Sequence, residues 1–88
     1  MWYNTYAKQT KYTDLGYKAF QYARSLVEIV IPDSVTSIGY CAFYGCGSLT
    51  SITFNGTMEQ WNNVRKGSDW NDYVPATKVV CSDGEVAL

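Results

Sequence analysis

Leu15-Gly16-Tyr17-Lys18-Ala19-Phe20 and Ile38-Gly39-Tyr40-Cys41-Ala42-Phe43 are one pattern written twice, 23 residues apart. The match runs on: Ser25-Leu26 falls on Ser48-Leu49, Ile29 on Ile52 and Ile31 on Phe54. Seven of seventeen positions from Leu15 to Ile31 recur identically at that spacing. Self-similarity at a fixed period of this size is the signature of stacked repeat units.

Each unit divides into physically distinct parts. In Leu26-Val27-Glu28-Ile29-Val30-Ile31, residues Ile29 and Ile31 share one face of a strand, and Glu28 and Val30 the other. Ile52 and Phe54 repeat the inner face one unit later, while Ser51 and Thr53 repeat a more polar outer face. Pro32-Asp33 ends the first strand, because proline lacks the ladder donor and presets a turn. Val35-Thr36-Ser37-Ile38 predicts a second short extended segment. The stretch from Gly39 to Gly45, with Ala42 and Phe43 inward, predicts a helical turn that closes the coil. Strands this far apart have enough chain for a parallel crossover. Stacking at about 4.8 Å per coil then sets like side chains over one another. The expected core is Phe20, Leu26, Ile29, Ile31, Ile38, Phe43, Leu49, Ile52, Phe54 and Trp61.

The expected fold class is an α/β leucine-rich-repeat-like solenoid of short parallel strands. It has about two coils over residues 12–54, a degenerate segment over 1–11 and a C-terminal helix-and-strand cap over 55–88. An open stack exposes its core, so a terminal unit must differ from the others. Thr57-Met58-Glu59-Gln60 fits a capping box, with Met58, Trp61 and Val64 on one helical face. Arg65 and Lys66 suit the last turn of that helix, and Gly67 its end. On the 23-residue register Trp61 lies over Ile38. Trp70 and Tyr73 complete the lid, Thr77 to Cys81 forms a final strand, and Asp83-Gly84 makes a tight turn. At the other end Lys8 falls where an inward Ile31 belongs. The first dozen residues therefore cap poorly, and self-association through that end is expected.

Composition narrows the function. Seven basic and eight acidic residues in 88 give a net charge of −1, and only Arg65-Lys66 are adjacent bases. Phosphate-backbone binding needs clustered Lys and Arg, so nucleic acid is not an expected partner. No apolar run reaches the roughly 18 to 20 residues of a membrane span. Residues 1–6 lack the charged n-region and apolar stretch of a signal peptide. With no histidine, a Ser or Cys nucleophile lacks its usual base, so catalysis is not expected. Cys41, Cys46 and Cys81 are an odd set with no histidine to complete a zinc site; Cys46 reads as a small buried hydrophobe. Asp69 with Asp72, and Asp83 with Glu85, match no calcium-loop spacing. Gly45-Cys46-Gly47-Ser48 lacks the lysine of a phosphate loop. Asn55-Gly56-Thr57 is formally a glycosylation acceptor, although turn and cap roles account for all three residues. No cofactor is expected.

Two surfaces stand out as candidates for binding. One is the outer strand face of Glu28, Val30, Ser51 and Thr53. The other is an edge of tyrosines, in which Tyr17 and Tyr40 repeat one coil apart with Tyr22 and Tyr44 nearby. Tyrosine offers contact area at low entropic cost and is enriched in recognition surfaces. A protein partner is one expectation, and a structural unit without a ligand is another. Carbohydrate binding through Trp2, Tyr3, Tyr6 and the Tyr17–Tyr40 pair is a third.

The run Ile29-Val30-Ile31-Pro32-Asp33-Ser34-Val35-Thr36-Ser37-Ile38-Gly39, followed by Ala42-Phe43-Tyr44-Gly45-Cys46 and Ser48-Leu49-Thr50-Ser51-Ile52, resembles BspA-type leucine-rich repeats. Phe54-Asn55-Gly56-Thr57, Gln60-Trp61, Lys66-Gly67, Trp70-Asn71 and Val80-Cys81-Ser82-Asp83-Gly84 resemble the terminal segment of such arrays. Ala23 stands where that pattern has cysteine. The resemblance implies a bacterial array, often secreted or surface-displayed and typically much longer than this chain, from a family mostly of unknown biochemical function in which adhesion and protein recognition are proposed for some members.

Overall fold

A computed structural model describes residues 13–88. The elements in chain order are β1 (Asp14–Leu15), β2 (Glu28–Ile31), β3 (Ser37–Ile38), β4 (Ser51–Phe54), α1 (Met58–Asn63), β5 (Arg65–Lys66), β6 (Lys78–Cys81) and β7 (Gly84–Ala87). They form a repeat fold of two sheets and one short helix. One sheet has the order β1-β3-β5 and is parallel throughout; the other, β2-β4-β6-β7, is parallel except for the last pair. Strands from successive repeats therefore pair side by side, Glu28 with Ser51 and Ile31 with Phe54 at one end, Leu15 with Ile38 at the other.

Between the two strands of each coil the chain turns without forming a helix. The N–H groups of Lys18, Phe20 and Tyr22 donate to the carbonyls of Tyr40, Ala42 and Tyr44 in the next coil, at 2.7–2.9 Å. Those of Ala19, Gln21 and Ala23 donate three residues back in their own coil. The next coil repeats the pattern, with Cys41, Phe43 and Gly45 donating to Ser68, Trp70 and Asp72. A helix spends every N–H within its own turn; this segment spends every second one on its neighbour. The expected helical turn from Gly39 to Gly45 is thus a run of linked β-turns. The alternation requires left-handed backbone at Lys18, Tyr22, Cys41, Gly45, Asp69 and Tyr73, with φ between 55° and 75°. Only one of these six is glycine. The others each cost about 1–2 kcal/mol, offset by the hydrogen bonds that the ladder makes on both sides. Gly45 is glycine for a second reason, since a Cβ there would lie 2.5 Å from the Tyr22 ring.

The pairing continues into a third coil that the 23-residue shift does not reveal. Ser37 pairs with Arg65, a shift of 28, and Ile52 with Val79, a shift of 27. The extra residues are α1 and its approach. Two expectations are corrected here. Ile38 stands beside Lys66, not Trp61. Arg65 and Lys66 form a strand, not a helix end, and Gly67 terminates no helix. Gly67 instead follows Gly39 as the point where coils touch: a Cβ on Gly39 would lie 2.7 Å from Gly16 backbone, and one on Gly67 would lie 2.6 Å from Tyr40 backbone. No side chain fits there.

Helix α1 begins with the anticipated capping box. The Gln60 N–H donates to Thr57 Oγ1 at 3.1 Å, and the Thr57 N–H to Gln60 Oε1 at 2.8 Å. Asp83, beyond β6, accepts the Met58 N–H at 2.8 Å and ties the β6–β7 turn to the helix start, where a carboxylate is favoured. The turn between β6 and β7 is Ser82-Asp83, and β7 itself goes unseen in the sequence. Val64 is the C-cap residue, buried just outside the helix. Trp61, 1% exposed, packs on Phe54 at 5.4 Å and Trp70 at 5.8 Å between ring centroids. Burying it contributes on the order of 3 kcal/mol.

The core runs continuously through all three coils. Leu26, Ile29, Ile31, Ile38, Phe43, Leu49, Ile52, Phe54 and Trp61 are buried, with Val79, Trp70, Ala76 and Cys81 continuing the columns in the third coil. Phe20 is only half-buried, in the first described coil, with its ring parallel to Phe43 at 5.3 Å. Tyr73, expected in the lid, is 75% exposed instead: at its left-handed position the side chain leaves the core.

Candidate functional site

The outer sheet face presents two rows across its strands. Strand register sets Val30 beside Thr53, then Val80, then Glu85; Glu28 stands beside Ser51, and Lys78 beside Ala87. Glu28 and Ser51 are exposed, while Val30 and Thr53 are half-covered. Lys78 Nζ and Glu85 Oε2 are 2.9 Å apart, a solvent-exposed pair worth at most about 1 kcal/mol.

The turn edge is different in kind. Tyr17 and Tyr40 stand one coil apart on this edge, and Tyr22, Tyr44 and Tyr73 come to it from successive coils. Tyr17 and Tyr40 stack at 5.5 Å and 17°. Tyr22 meets Tyr44 edge-on at 5.7 Å, and Tyr44 meets Tyr73 edge-on at 5.3 Å. Four of the five stay well exposed: Tyr17 67%, Tyr22 52%, Tyr40 43% and Tyr73 75%. Tyr44, in the middle, is half-buried; desolvation, then the neighbouring Tyr73 and Tyr22, hold its phenol above the usual range. The Lys18 ammonium lies 5.0 Å from the Tyr17 ring centroid and the Arg24 guanidinium 5.7 Å from that of Tyr22. Contacts of this kind contribute about 0.5–1 kcal/mol at exposed sites, and they hold long cations flat over the rings.

The structure thus brings Tyr17 and Tyr40 together and leaves Glu28, Val30, Ser51 and Thr53 on a separate face. Trp2, Tyr3 and Tyr6 lie outside the described residues. Sequence reasoning missed Tyr73, Arg24, Asp69 and Asp72 as members of the tyrosine edge. Gly45 alone marks this left-handed position in the sequence, since Tyr22 and Tyr73 are not residues that announce it, and the third coil's altered spacing hid their equivalence.

Other chemistry is sparse among the described residues. All three cysteines are buried free thiols. Burial raises the Cys46 and Cys81 thiols above their ordinary pKa, the opposite of nucleophile activation. The Cys46 thiol donates to the Phe20 carbonyl at 3.0 Å. No group of three or more Cys, Asp or Glu among the described residues could hold a metal. A cleft of about 170 Å³ opens beside α1, with Asp33, Thr36, Gln60 and Asn63 over Val35 and Phe54. It is smaller than the ~300 Å³ at which ligand pockets begin. No described helix is long and apolar enough to cross a membrane.

Comparison with known proteins matches this architecture to a family. No solved structure matches. A stretch of 24 residues is 71% identical to a "Putative surface protein bspA-like" of Trichomonas vaginalis, covering 27% of this chain and 4% of that protein. The chain therefore corresponds to a small part of that relative's length. The family model "BspA type Leucine rich repeat region (6 copies)" matches residues 9–64, more than half of the chain. Its match spans the duplicated hexapeptide, both parallel pairings of the first two coils and the whole of α1, and the chain belongs to the BspA-type leucine-rich repeat family.

Proposed function

We propose that this chain is a non-catalytic recognition module of a surface-displayed repeat array. On this reading its coils form a short solenoid, residues 55–88 close the far end, and the tyrosine-lined turn edge makes the contact. The single observation that carries the reading is the five tyrosines packed on one edge, four of them well exposed, where the core needs none of them. Exposed aromatic clusters on small domains mark interaction surfaces. The name of the surface-protein relative supports display at a cell surface. The outer sheet face is the lesser candidate, because Lys78 and Glu85 already satisfy one another there.

The test is binding of the labelled 88-residue chain to a panel of extracellular proteins and, in parallel, to a glycan array. Protein binding lost in Tyr17→Ala/Tyr40→Ala but kept in Glu28→Ala/Thr53→Ala is the expected result. The reverse pattern moves the contact to the sheet. Signal on glycans alone replaces the protein partner with a carbohydrate. Silence on both arrays leaves a purely structural unit.

A further inference from the structure

The turn edge is electrically polarised along the stacking direction. Its first-coil end carries Lys18 and Arg24, each over a tyrosine ring. Its third-coil end carries Asp69 and Asp72. These two carboxylates neighbour one another: desolvation and then Asp69 push the Asp72 carboxyl above its ordinary range. Among the described residues neither has a basic partner, since the salt bridge there is Lys78–Glu85. Between the two ends lie only neutral groups, chiefly the tyrosines. Two coil spacings separate the ends by about 10 Å.

Such a surface complements itself. Rotation by 180° about an axis lying in the contact plane and perpendicular to the stacking direction turns two copies of the edge face to face and sets the acidic end against the basic end twice over, which is the geometry of an isologous dimer. Resting on the reading that the turn edge is a contact surface, we propose that its partner is a second copy of this chain. The copies dock edge to edge and antiparallel, with Lys18 and Arg24 of each meeting Asp69 and Asp72 of the other across the packed tyrosines. The outer sheet face lacks this polarity, because its cation is already paired internally. Three coils make a small edge beside the roughly 800 Å² per partner of a standard interface, so the dimer is weak and sensitive to salt. Stacking through the first-coil end, the association expected from the sequence, would not depend on these four charges.

Sedimentation equilibrium from micromolar to millimolar chain, at about 0.05 M and about 0.5 M NaCl, provides the test. The expected result is a monomer–dimer equilibrium weakened by about tenfold in the higher salt. Lys18→Glu/Arg24→Glu makes the edge wholly acidic and Asp69→Lys/Asp72→Lys makes it wholly basic. Each variant should stay monomeric, and an equimolar mixture should associate again as a heterodimer. A monomer at every concentration overturns the proposal, as does association that neither variant changes. Circular dichroism melts check that the variants fold. Should they not, dilution-dependent NMR shifts of the wild-type chain decide: changes confined to Tyr17, Tyr22, Tyr40 and Tyr73 support it, and changes elsewhere sink it. Binding to panel proteins by a strictly monomeric chain would defeat this inference alone. Dimerisation without any panel binding would leave it standing and remove the wider recognition role.

Discussion

The first two coils and the third follow one backbone path with different side chains. Between the first and second, like stacks on like: Ile29 on Ile52, Phe20 parallel to Phe43 at 1°, Tyr17 on Tyr40. Between the second and third, the neighbours change. Ile38 is followed by Lys66, and Phe43 meets Trp70 edge-on at 75°. The Ala76 N–H donates to the Leu49 carbonyl, so a methyl stands where two leucines stood. Retained throughout are the glycines at 16, 39 and 67, of which 39 and 67 press on the preceding coil's backbone, and the left-handed residues at 18/41/69 and 22/45/73. Backbone hydrogen bonds dictate that path, whereas side chains only have to fill the space. Trp61 fills space from outside the coil, its ring on α1 packed against Phe54 of the second coil and Trp70 of the third.

The most severe way to break this comparison is to remove that filler. Trp61→Ala should cost about 4 kcal/mol in urea denaturation, and hydrogen exchange should show the third coil losing protection before the first two. A cost under about 1 kcal/mol would mean that the third coil holds itself together without the helix. Next in size is the glycine contact. Gly67→Ala and Gly39→Ala force a methyl against neighbouring backbone and should each cost about 3 kcal/mol. Gly16→Ala, with nothing described within 4 Å of the added carbon, should change the melting midpoint little. Equal effects at all three would erase the distinction between an inner coil contact and an outer one.

Lys66 sharpens the comparison further. Its Nζ donates to the carbonyls of Trp61 and Val64, both at 2.9 Å, and lies 4.4 Å from the Trp61 ring centroid. A cation here covers helix-end carbonyls that an aliphatic side chain would leave bare, although burial lowers its pKa. Lys66→Ala should destabilise by about 2 kcal/mol, and Lys66→Ile, which prolongs the Leu15–Ile38 column, should fail to recover most of it. The smallest effect concerns Asp72. Its folded pKa is raised, so the native state binds more protons than the unfolded one, and stability falls as pH rises through the carboxylate range. Asp72→Asn should remove that slope and raise the melting midpoint slightly at neutral pH. A steeper slope in the variant would show that another acid is responsible.

Much of the fold was legible because identical residues at a fixed spacing announce stacked coils. Ile29/Ile52 and Ile31/Phe54 marked the strands by alternation, and Thr57 with Gln60 marked the helix start by local hydrogen-bond chemistry. The third coil escaped notice because α1 shifts its register from 23 to 27–28 residues and because Lys66, Trp70 and Ala76 continue the columns with residue types unlike Ile38, Phe43 and Leu49. The turn went wrong because two inward residues, Ala42 and Phe43, set between Gly39 and Gly45 suit a helical turn as well as a run of β-turns. Only the neighbouring coil's carbonyls draw every second N–H away. For the candidate site, the Tyr17–Tyr40 pair followed from the repeat, but Tyr73, Asp69 and Asp72 joined it only through tertiary register.

By itself the sequence determined the period, the inner strand faces, the helix cap and the family, because each depends on residues close in the chain or repeated along it. Tertiary structure alone decided which residue of the third coil meets which of the second, why glycine recurs at 39 and 67, and which charges share an edge with the tyrosines. Those contacts depend on the length of chain between coils, and α1 inserts a length that no local pattern encodes.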